Sequence, residues 1–207
     1  RIRKVAQKEV GESTLGGRKI WIDENIGRLN TEKRGLFLGS FNSEDKIIVF
    51  YNDGSYEMTT FDMSNRYKMN EILIIEKFSL TTIYTLLYKD GKNKANYIKR
   101  FNIETSLIGK RFGLISDNRG SKCILVSNYK SLFVNYNYRL KNGDKKNKQL
   151  FVDDFIDVKG YKAIGKILDN KLRMSSFNFK ENKIDKNIKT TDDNKDENEQ
   201  TEELTLF

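Results

Sequence analysis

The chain has 207 residues, one cysteine, no histidine, no proline and a formal net charge of +9. Without histidine there is no His-based general acid or base, and a single cysteine supplies neither an internal disulfide nor a structural zinc site. The longest apolar runs, such as Ile47–Tyr51, are too short for a membrane span or a signal-peptide core, so we expect a soluble, cytoplasmic protein.

The ends of the chain differ in character from its middle. It begins at Arg1 without a methionine, which favours a fragment of a longer protein, and we expect residues 1–16 to be a linker. Residues 17–180 are expected to form one folded domain. Residues 181–207 carry four lysines and nine acids, which predicts a disordered acidic tail. That tail is interpreted either as a solubilising segment or as an internal competitor for a basic surface.

The charge outside the tail is strongly positive. Because residues 181–207 have a net charge of −5, residues 1–180 have a net charge of +14. Such an excess is typical of a protein that binds nucleic acid or another anionic surface.

Strand patterns dominate the chain, and helical periodicity is poor. Short β-branched or aromatic runs separated by turn residues predict hairpins at residues 19–31, 46–61, 83–101, 122–136 and 163–177. Asp53-Gly54 and Asp90-Gly91 favour type I′ turns, and the next two turns are predicted at Asn128-Tyr129 and Asp169-Asn170. These four turns are 37, 38 and 41 residues apart, a period near 40 that indicates a repeat-built β-fold over a chance sandwich.

Alternation identifies the clearest single strand. Leu132, Val134 and Tyr136 recur on one face of the segment 132–140, which predicts a long half-buried strand. The lysine-rich residues 141–148 after it are predicted to be a loop. Cys123 and Trp21 are predicted to be buried, and the aromatic residues that alternate with polar ones favour core packing over base stacking.

Three stretches resemble a known family. They are residues 45–61 (DKIIVFYNDGSYEMTTF), 82–103 (TIYTLLYKDGKNKANYIKRFNI) and 157–168 (DVKGYKAIGKIL). The chain resembles, over residues 17–179, the C-terminal domain of the A subunit of bacterial type IIA topoisomerases, which are DNA gyrase and topoisomerase IV. The long hairpin ending in Tyr-Ile-Lys-Arg-Phe is similar to the topoisomerase IV-like branch of one bacterial lineage.

The resemblance implies a fold and a role. The fold is a β-pinwheel, an all-β, propeller-like arrangement of four to five blades that exchange strands with their neighbours. Its basic rim would bind and bend duplex DNA without reading sequence. Gyrase has a Q-R-R-G-G-K-G box, of which Gly16-Gly17-Arg18-Lys19 is a partial match, and this departure favours a topoisomerase IV-like parent.

The resemblance also implies partners and a division of labour. The domain itself would have no catalytic residue, metal or cofactor, whereas the parent would use ATP and Mg²⁺. Its partners would be duplex DNA, the rest of its own A subunit and the ATPase B subunit of an A2B2 enzyme at the nucleoid. Arg66-Tyr67 looks like the arginine-tyrosine pair of the breakage core, but that tyrosine belongs to an upstream domain, so we expect Tyr67 to be structural.

DNA bending needs cations near phosphates and glycines where backbone amides approach the DNA closely. The candidate DNA contacts chosen on these grounds are Arg18, Lys19, Lys33, Arg34, Lys99, Arg100, Lys110, Arg111, Lys159, Gly160, Lys162, Gly165, Lys166, Lys171 and Arg173.

Two other classes of protein compete with this interpretation. A propeller of the WD-repeat type, acting as a protein-interaction module, would not need the basic excess and would carry Trp-Asp and Gly-His signatures, which the sequence lacks. A propeller enzyme that processes sugars or phosphates would need a convergent acid or metal cluster, and the sequence offers no candidate for one.

Overall fold

The computed structural model describes residues 16–104, 107–140, 142–168 and 173–183. The predicted linker, apart from Gly16, and the predicted tail, apart from its first three residues, lie outside this range. So do the predicted turn at Asp169-Asn170 and the candidate contact Lys171.

The regular secondary structure of the described residues consists almost wholly of short strands. They are β1 (Arg18–Asp23), β2 (Arg28–Asn30), β3 (Leu36–Phe41), β4 (Ile47–Tyr51), β5 (Ser55–Thr59), β6 (Ile72–Lys77), β7 (Tyr84–Lys89), β8 (Asn96–Asn102), β9 (Arg111–Gly113), β10 (Lys122–Ser127), β11 (Leu132–Arg139), β12 (Lys145–Phe151), β13 (Val158–Gly160), β14 (Lys166–Ile167) and β15 (Arg173–Glu181). A one-turn helix, α1 (Val152–Phe155), and a short 3₁₀ turn at Met69–Glu71 complete the list.

These strands form four sheets that exchange strands. The first sheet has the order β2-β1-β3, the second β6-β4-β5-β9, the third β10-β7-β8-β13 with β14 also on β8, and the fourth β12-β11-β15. β9 follows the third sheet's hairpin in sequence but pairs with β5 of the second sheet. Likewise β13 and β14 follow β12 of the fourth sheet but pair with β8 of the third. The predicted all-β fold of strand-exchanging blades is confirmed, with four sheets in the described residues.

Apolar side chains between successive sheets form the cores. In β4, Ile47 and Val49 pack towards the first sheet, whereas Ile48 and Phe50 pack towards the third. Every residue of β4 is buried, because both of its faces are covered. A third core joins the third and fourth sheets around Val134. This stacking explains why the apolar run of β4 is continuous while β11 alternates.

Three of the five predicted hairpins are confirmed, and two are wrong. β1–β2, β4–β5 and β7–β8 pair as antiparallel hairpins. The predicted hairpin at 122–136 is wrong because β10 pairs with β7 of the third sheet and β11 with β12 and β15 of the fourth. The hairpin at 163–177 is wrong because β14 and β15 also lie in different sheets. Residues 141–148 were expected to be a loop, but β12 begins at Lys145, so that prediction is wrong as well.

Neither Asp-Gly turn is of the predicted type. Gly54 has φ +81°, but Asp53 keeps a negative φ, and the Gly54 amide donates to the Tyr51 carbonyl. This is a turn followed by a left-handed glycine, which gives a three-residue hairpin loop. At the other turn the loop extends from Asp90 to Ala95 and the positive φ belongs to Lys94, at +60°.

Asp90 organises the second of these loops. One carboxylate oxygen accepts from the amides of Lys92 and Asn93, at 2.8 and 2.9 Å. The other accepts from the hydroxyl of Ser116 at 2.5 Å and the side-chain amide of Asn118 at 2.8 Å. The hydrogen bond from Ser116, followed by those from the other donors, holds the pKa of Asp90 well below its usual range. Asp90 thus joins the β7–β8 loop to the segment before β10.

Of three residues predicted to have structural roles in the core, two are buried and one is not. Cys123 is buried as expected, and burial raises the pKa of its thiol to about 12. Tyr67 is buried with its hydroxyl 2.7 Å from that of Thr59, which fits a structural role. Trp21 was predicted to be core, but it points to the outer face of the first sheet and is only partly buried, 4.7 Å from the half-exposed ring of Phe37.

Within the described residues no helix is both long and apolar enough to span a membrane. Groups of His, Cys, Asp and Glu that could hold a metal ion are also absent from this part of the chain.

Candidate nucleic-acid interface

The N-terminal candidates lie at the surface of the first sheet. Arg18 and Lys19 open β1 and are exposed. Lys33 and Arg34 are exposed in the loop between β2 and β3, where Lys33 has φ +62°. Arg34 pairs with Glu32 at 2.9 Å, so part of its charge is already balanced.

A buried asparagine that the sequence analysis did not select shapes this loop. The side-chain oxygen of Asn30 accepts from the amides of Glu32 and Arg34, both at 3.1 Å, and its amide group donates to the Arg34 carbonyl at 2.9 Å. An asparagine at the end of a strand before a short polar loop is the sequence signal for such a turn. Asn30 therefore positions Lys33 and Arg34.

Lys99 was predicted to contact DNA, and the structure places it in the interior instead. Its side chain is 2 % exposed, and its ammonium donates to the carbonyls of Leu114 and Tyr161 at 2.6 Å and of Ala163 at 3.0 Å. All of the ammonium's donors are used, so none is left for a phosphate. Burial lowers the pKa of Lys99 to about 8. Because Tyr161 and Ala163 flank Lys162, Lys99 positions that exposed lysine.

Arg100 is also removed from the set of DNA contacts. It is 9 % exposed, and its guanidinium pairs with Asp153 at 2.5 Å and donates to the carbonyl of Lys130 at 3.1 Å. Asp153 in turn accepts from the hydroxyl of Ser131. This buried ion pair ties β8 to the fourth sheet, a structural role that a dibasic pair in the sequence does not reveal.

Lys110 and Arg111 differ in their environments. Lys110 is exposed, with its ammonium 5.4 Å from the ring centre of Phe112. Arg111 stacks on Tyr51 at 3.7 Å and lies 3.6 Å from Asp53 and 3.5 Å from Glu57. Two carboxylates therefore balance Arg111, which makes Lys110 the stronger of the two candidates.

The segment 157–168 presents the densest group of predicted cations. Lys159, Lys162 and Lys166 are all exposed. The ammonium of Lys166 donates to the Phe155 carbonyl at 3.1 Å and lies 4.3 Å from the ring centre of Phe155. β13 and β14 hold this segment against β8, so a folded edge displays its lysines.

The two glycines of this segment have different roles. A Cβ at Gly160 would meet nothing within 4 Å, and an approach of phosphate to this glycine stays a prediction. Gly165 has φ +98°, and a Cβ there would lie 2.5 Å from the Ile98 carbonyl oxygen. Gly165 is therefore required for the contact of β14 with β8, and its role is packing where we expected an approach to phosphate. Arg173 begins β15, opposite Arg139.

Comparisons with known proteins identify the family. The family model described as "Topoisomerase C-terminal domain, Bacteroidota" matches residues 28–181, about three quarters of the chain. Among curated proteins there is no significant match. A solved structure titled "Crystal structure of the C-terminal domain of DNA topoisomerase IV" matches with 13 % identity and a TM-score of 0.49, over 72 % of this chain. The match spans about half of that chain, 51 %. On the extent of the family match, the chain belongs to the family of topoisomerase C-terminal domains of the Bacteroidota.

Proposed function

We propose that this domain binds duplex DNA without sequence preference and bends it for the strand-passage core of a type IIA topoisomerase. One observation carries the proposal: the described residues include 29 basic and 18 acidic side chains, an excess of 11. Four of those cations are exposed on or beside the three exchanged strands β9, β13 and β14, namely Lys110, Lys159, Lys162 and Lys166. A non-enzymatic accessory domain needs a surface of this kind and no reactive centre.

The energetics fit such a surface. Each lysine that replaces counterions at a phosphate contributes a salt-dependent gain, so a few contacts suffice for binding at moderate salt. Bending a short DNA segment by tens of degrees costs about 1–6 kcal/mol, which several such contacts can offset. Because lysines tolerate a range of contact geometries, binding would follow the phosphate backbone and ignore the bases.

At the level of the parent protein we propose a topoisomerase A subunit. The rest of that subunit and an ATPase B subunit would supply the breakage tyrosine, ATP and Mg²⁺ in an A2B2 enzyme in the cytoplasm, at the nucleoid. The absence of a full Q-R-R-G-G-K-G run supports a topoisomerase IV-like parent over a gyrase-like one.

A gel-shift assay with plain duplexes of increasing length, at two salt concentrations, tests the DNA-binding proposal. We expect affinity to rise with duplex length, to fall steeply with salt and to ignore sequence. Absence of binding at low salt would overturn the proposal and favour a protein-interaction module. Relaxing closed circles in the presence of the domain then tests for wrapping, because constrained writhe of one sign would favour a gyrase-like parent.

A further inference from the structure

The fourth sheet has one packed face and one face open to solvent. In β11, Leu132, Val134 and Tyr136 are buried against the third sheet. Successive side chains of a strand point to opposite faces, so the alternate residues face away from that core. We call the odd-numbered positions 133–139 of β11, with the residues opposite them in β12 and β15, the open face.

One end of the open face carries two like charges, those of Arg139 and Lys145. Arg139 lies opposite Lys145 of β12 and, in the backbone register, opposite Arg173 of β15. Arg139 and Lys145 are both exposed. Like charges directly opposite each other across strands repel, and an anionic ligand relieves that repulsion.

Carboxylates are missing from this face. The three strands contain one acid, Glu181, which lies opposite the core residue Leu132 and so outside the open face. Asp144 lies in the turn before β12, where its carboxylate accepts from the side-chain amide of Asn142 at 2.7 Å. Among the described residues, no carboxylate of this face pairs with Arg139 or Lys145.

Amide side chains fill the middle of the face. Asn137 lies opposite Asn147, and Asn135 lies between Gln149 and Asn178. The side-chain amide of Asn135 donates to the side-chain oxygen of Asn178 at 3.0 Å, which aligns this row. Amide groups are uncharged donors of the kind that bind phosphate and sugar oxygens.

We propose that the open face binds the sugar-phosphate backbone of duplex DNA, as a contact surface in addition to the exposed Lys110, Lys159, Lys162 and Lys166. This inference rests on the proposed function and assigns one DNA contact to a particular surface of the fourth sheet. The far end of the face carries another cation, Lys180, opposite Phe133. The two cationic ends are six positions apart along β11, about 20 Å, which suits an extended polyanion better than a small anion.

Lysines on the edge strand β12 also hinder edge-to-edge association of sheets, and lysines on either of its faces would serve that purpose. This second role provides a matched control. Lys146 and Lys148 are exposed on the same strand but lie opposite Tyr138 and Tyr136, on the other face.

The test compares two double variants of the full chain, Arg139→Gln with Lys145→Gln and Lys146→Gln with Lys148→Gln. The probe is a linear duplex, and its affinity is measured over a range of salt. Both variants lose two charges, but we expect the open-face variant to lose about tenfold in affinity and about one unit of salt slope for each cation. The control variant is expected to change affinity by less than about threefold, through screened long-range charge alone. Equal losses in both variants would overturn the inference.

A second variant keeps the test decisive if the first one folds poorly. Asn137→Asp with Asn147→Asp is nearly isosteric and places two carboxylates in the centre of the face. It should weaken duplex binding at least as strongly, with an unchanged circular dichroism spectrum. If the parent chain binds DNA and this variant binds equally well, the open face is excluded while the proposed function stands. If the parent chain itself does not bind DNA, both the open-face inference and the proposed function are wrong.

Discussion

The ammonium of Lys99 lies 2.6 Å from the carbonyl oxygen of Tyr161, a residue 62 positions further along the chain. The same ammonium reaches Leu114, next to the exchanged strand β9, and Ala163, before the exchanged strand β14. One lysine side chain therefore holds the two segments in which the third sheet exchanges strands with its neighbours. Its ammonium satisfies three carbonyl oxygens at once, in the way that a bound cation would.

Replacing Lys99 by methionine should destabilise the domain. The buried carbonyls would lose their donor, and each unsatisfied group costs about 1–3 kcal/mol, so we expect the free energy of unfolding to fall by at least that amount. Urea denaturation measures it. Lys89→Met, at an exposed lysine of the adjacent strand β7, is the control and should leave stability nearly unchanged. Equal stability of Lys99→Met and the parent chain would contradict the role of the buried ammonium.

Gly165 and Gly160 form a second matched pair. In Gly165→Ala the new Cβ would meet the Ile98 carbonyl, and the positive φ would strain the backbone, so we expect a loss of about 1–3 kcal/mol in stability. Gly160→Ala has open space and should change stability by less than about 0.5 kcal/mol. Thermal unfolding followed by circular dichroism compares the two, and a result in the reverse order would refute the assigned roles.

Alkaline pH should destabilise the fold through its buried tyrosines. Burial raises the pKa of Tyr51 and of Tyr88 to about 12 each, assisted by the negative charge of Glu57 near Tyr51 and by Tyr97 near Tyr88. In the unfolded chain both ionise near pH 10, so between pH 10 and 12 unfolding releases protons. The stability that these groups contribute is therefore complete below pH 10 and is lost as the pH rises towards 12.

Measuring the absorbance of tyrosinate against pH, together with circular dichroism, tests whether stability falls as the pH rises. The buried tyrosines Tyr51 and Tyr88 should ionise together with unfolding. Ionisation of all tyrosines near pH 10 in a chain that stays folded would contradict the expectation.

The sequence predicted local pairing well and non-local pairing poorly. The hairpins β4–β5 and β7–β8 are fixed by apolar runs on either side of a short turn, and both are present. The strands β10 and β11 carry an equally good local signal, but their edges pair with β7 and β15. Turn residues such as Asn128 do not encode which edge is free, so strand exchange could not be derived from the pattern alone.

The candidate site residues show the same difference between local and non-local prediction. Exposed lysines in the segment 157–168 were correctly placed at the surface, because glycines and lysines between strand runs are typical of edges. Lys99 and Arg100 were wrongly predicted to be exposed, because their burial depends on partners beside β9, before β14 and in α1. A pair of basic residues within a strand gives the same sequence pattern whether water or a protein carbonyl surrounds its charges. The sequence does not predict the basic open face, because its pattern indicates a loop over residues 141–148, whereas β12 begins at Lys145.

The acidic end of the chain gives the last prediction. Residues 184–207 carry three lysines and eight acids, a net charge of −5, and follow β15 of the fourth sheet in sequence. If this segment competes with DNA for basic surface, its deletion should tighten duplex binding by about threefold or more at low salt, with a smaller gain at high salt. A full-length variant with the eight acids changed to amides should behave like the deletion, because charge is the cause.

The position of the cut matters for this experiment. A deletion that starts at Glu181 would remove the last ladder pair of β15 with Leu132 and the hydrogen bond from the Asn182 amide to the Ser131 carbonyl, at 3.0 Å. Such a loss would loosen the fourth sheet and disturb any DNA contact made there. The cut therefore belongs after Lys183, where the sheet keeps all of these bonds. Unchanged affinity in that deletion would reduce the tail to a solubilising segment, since a competitor cannot be removed without effect.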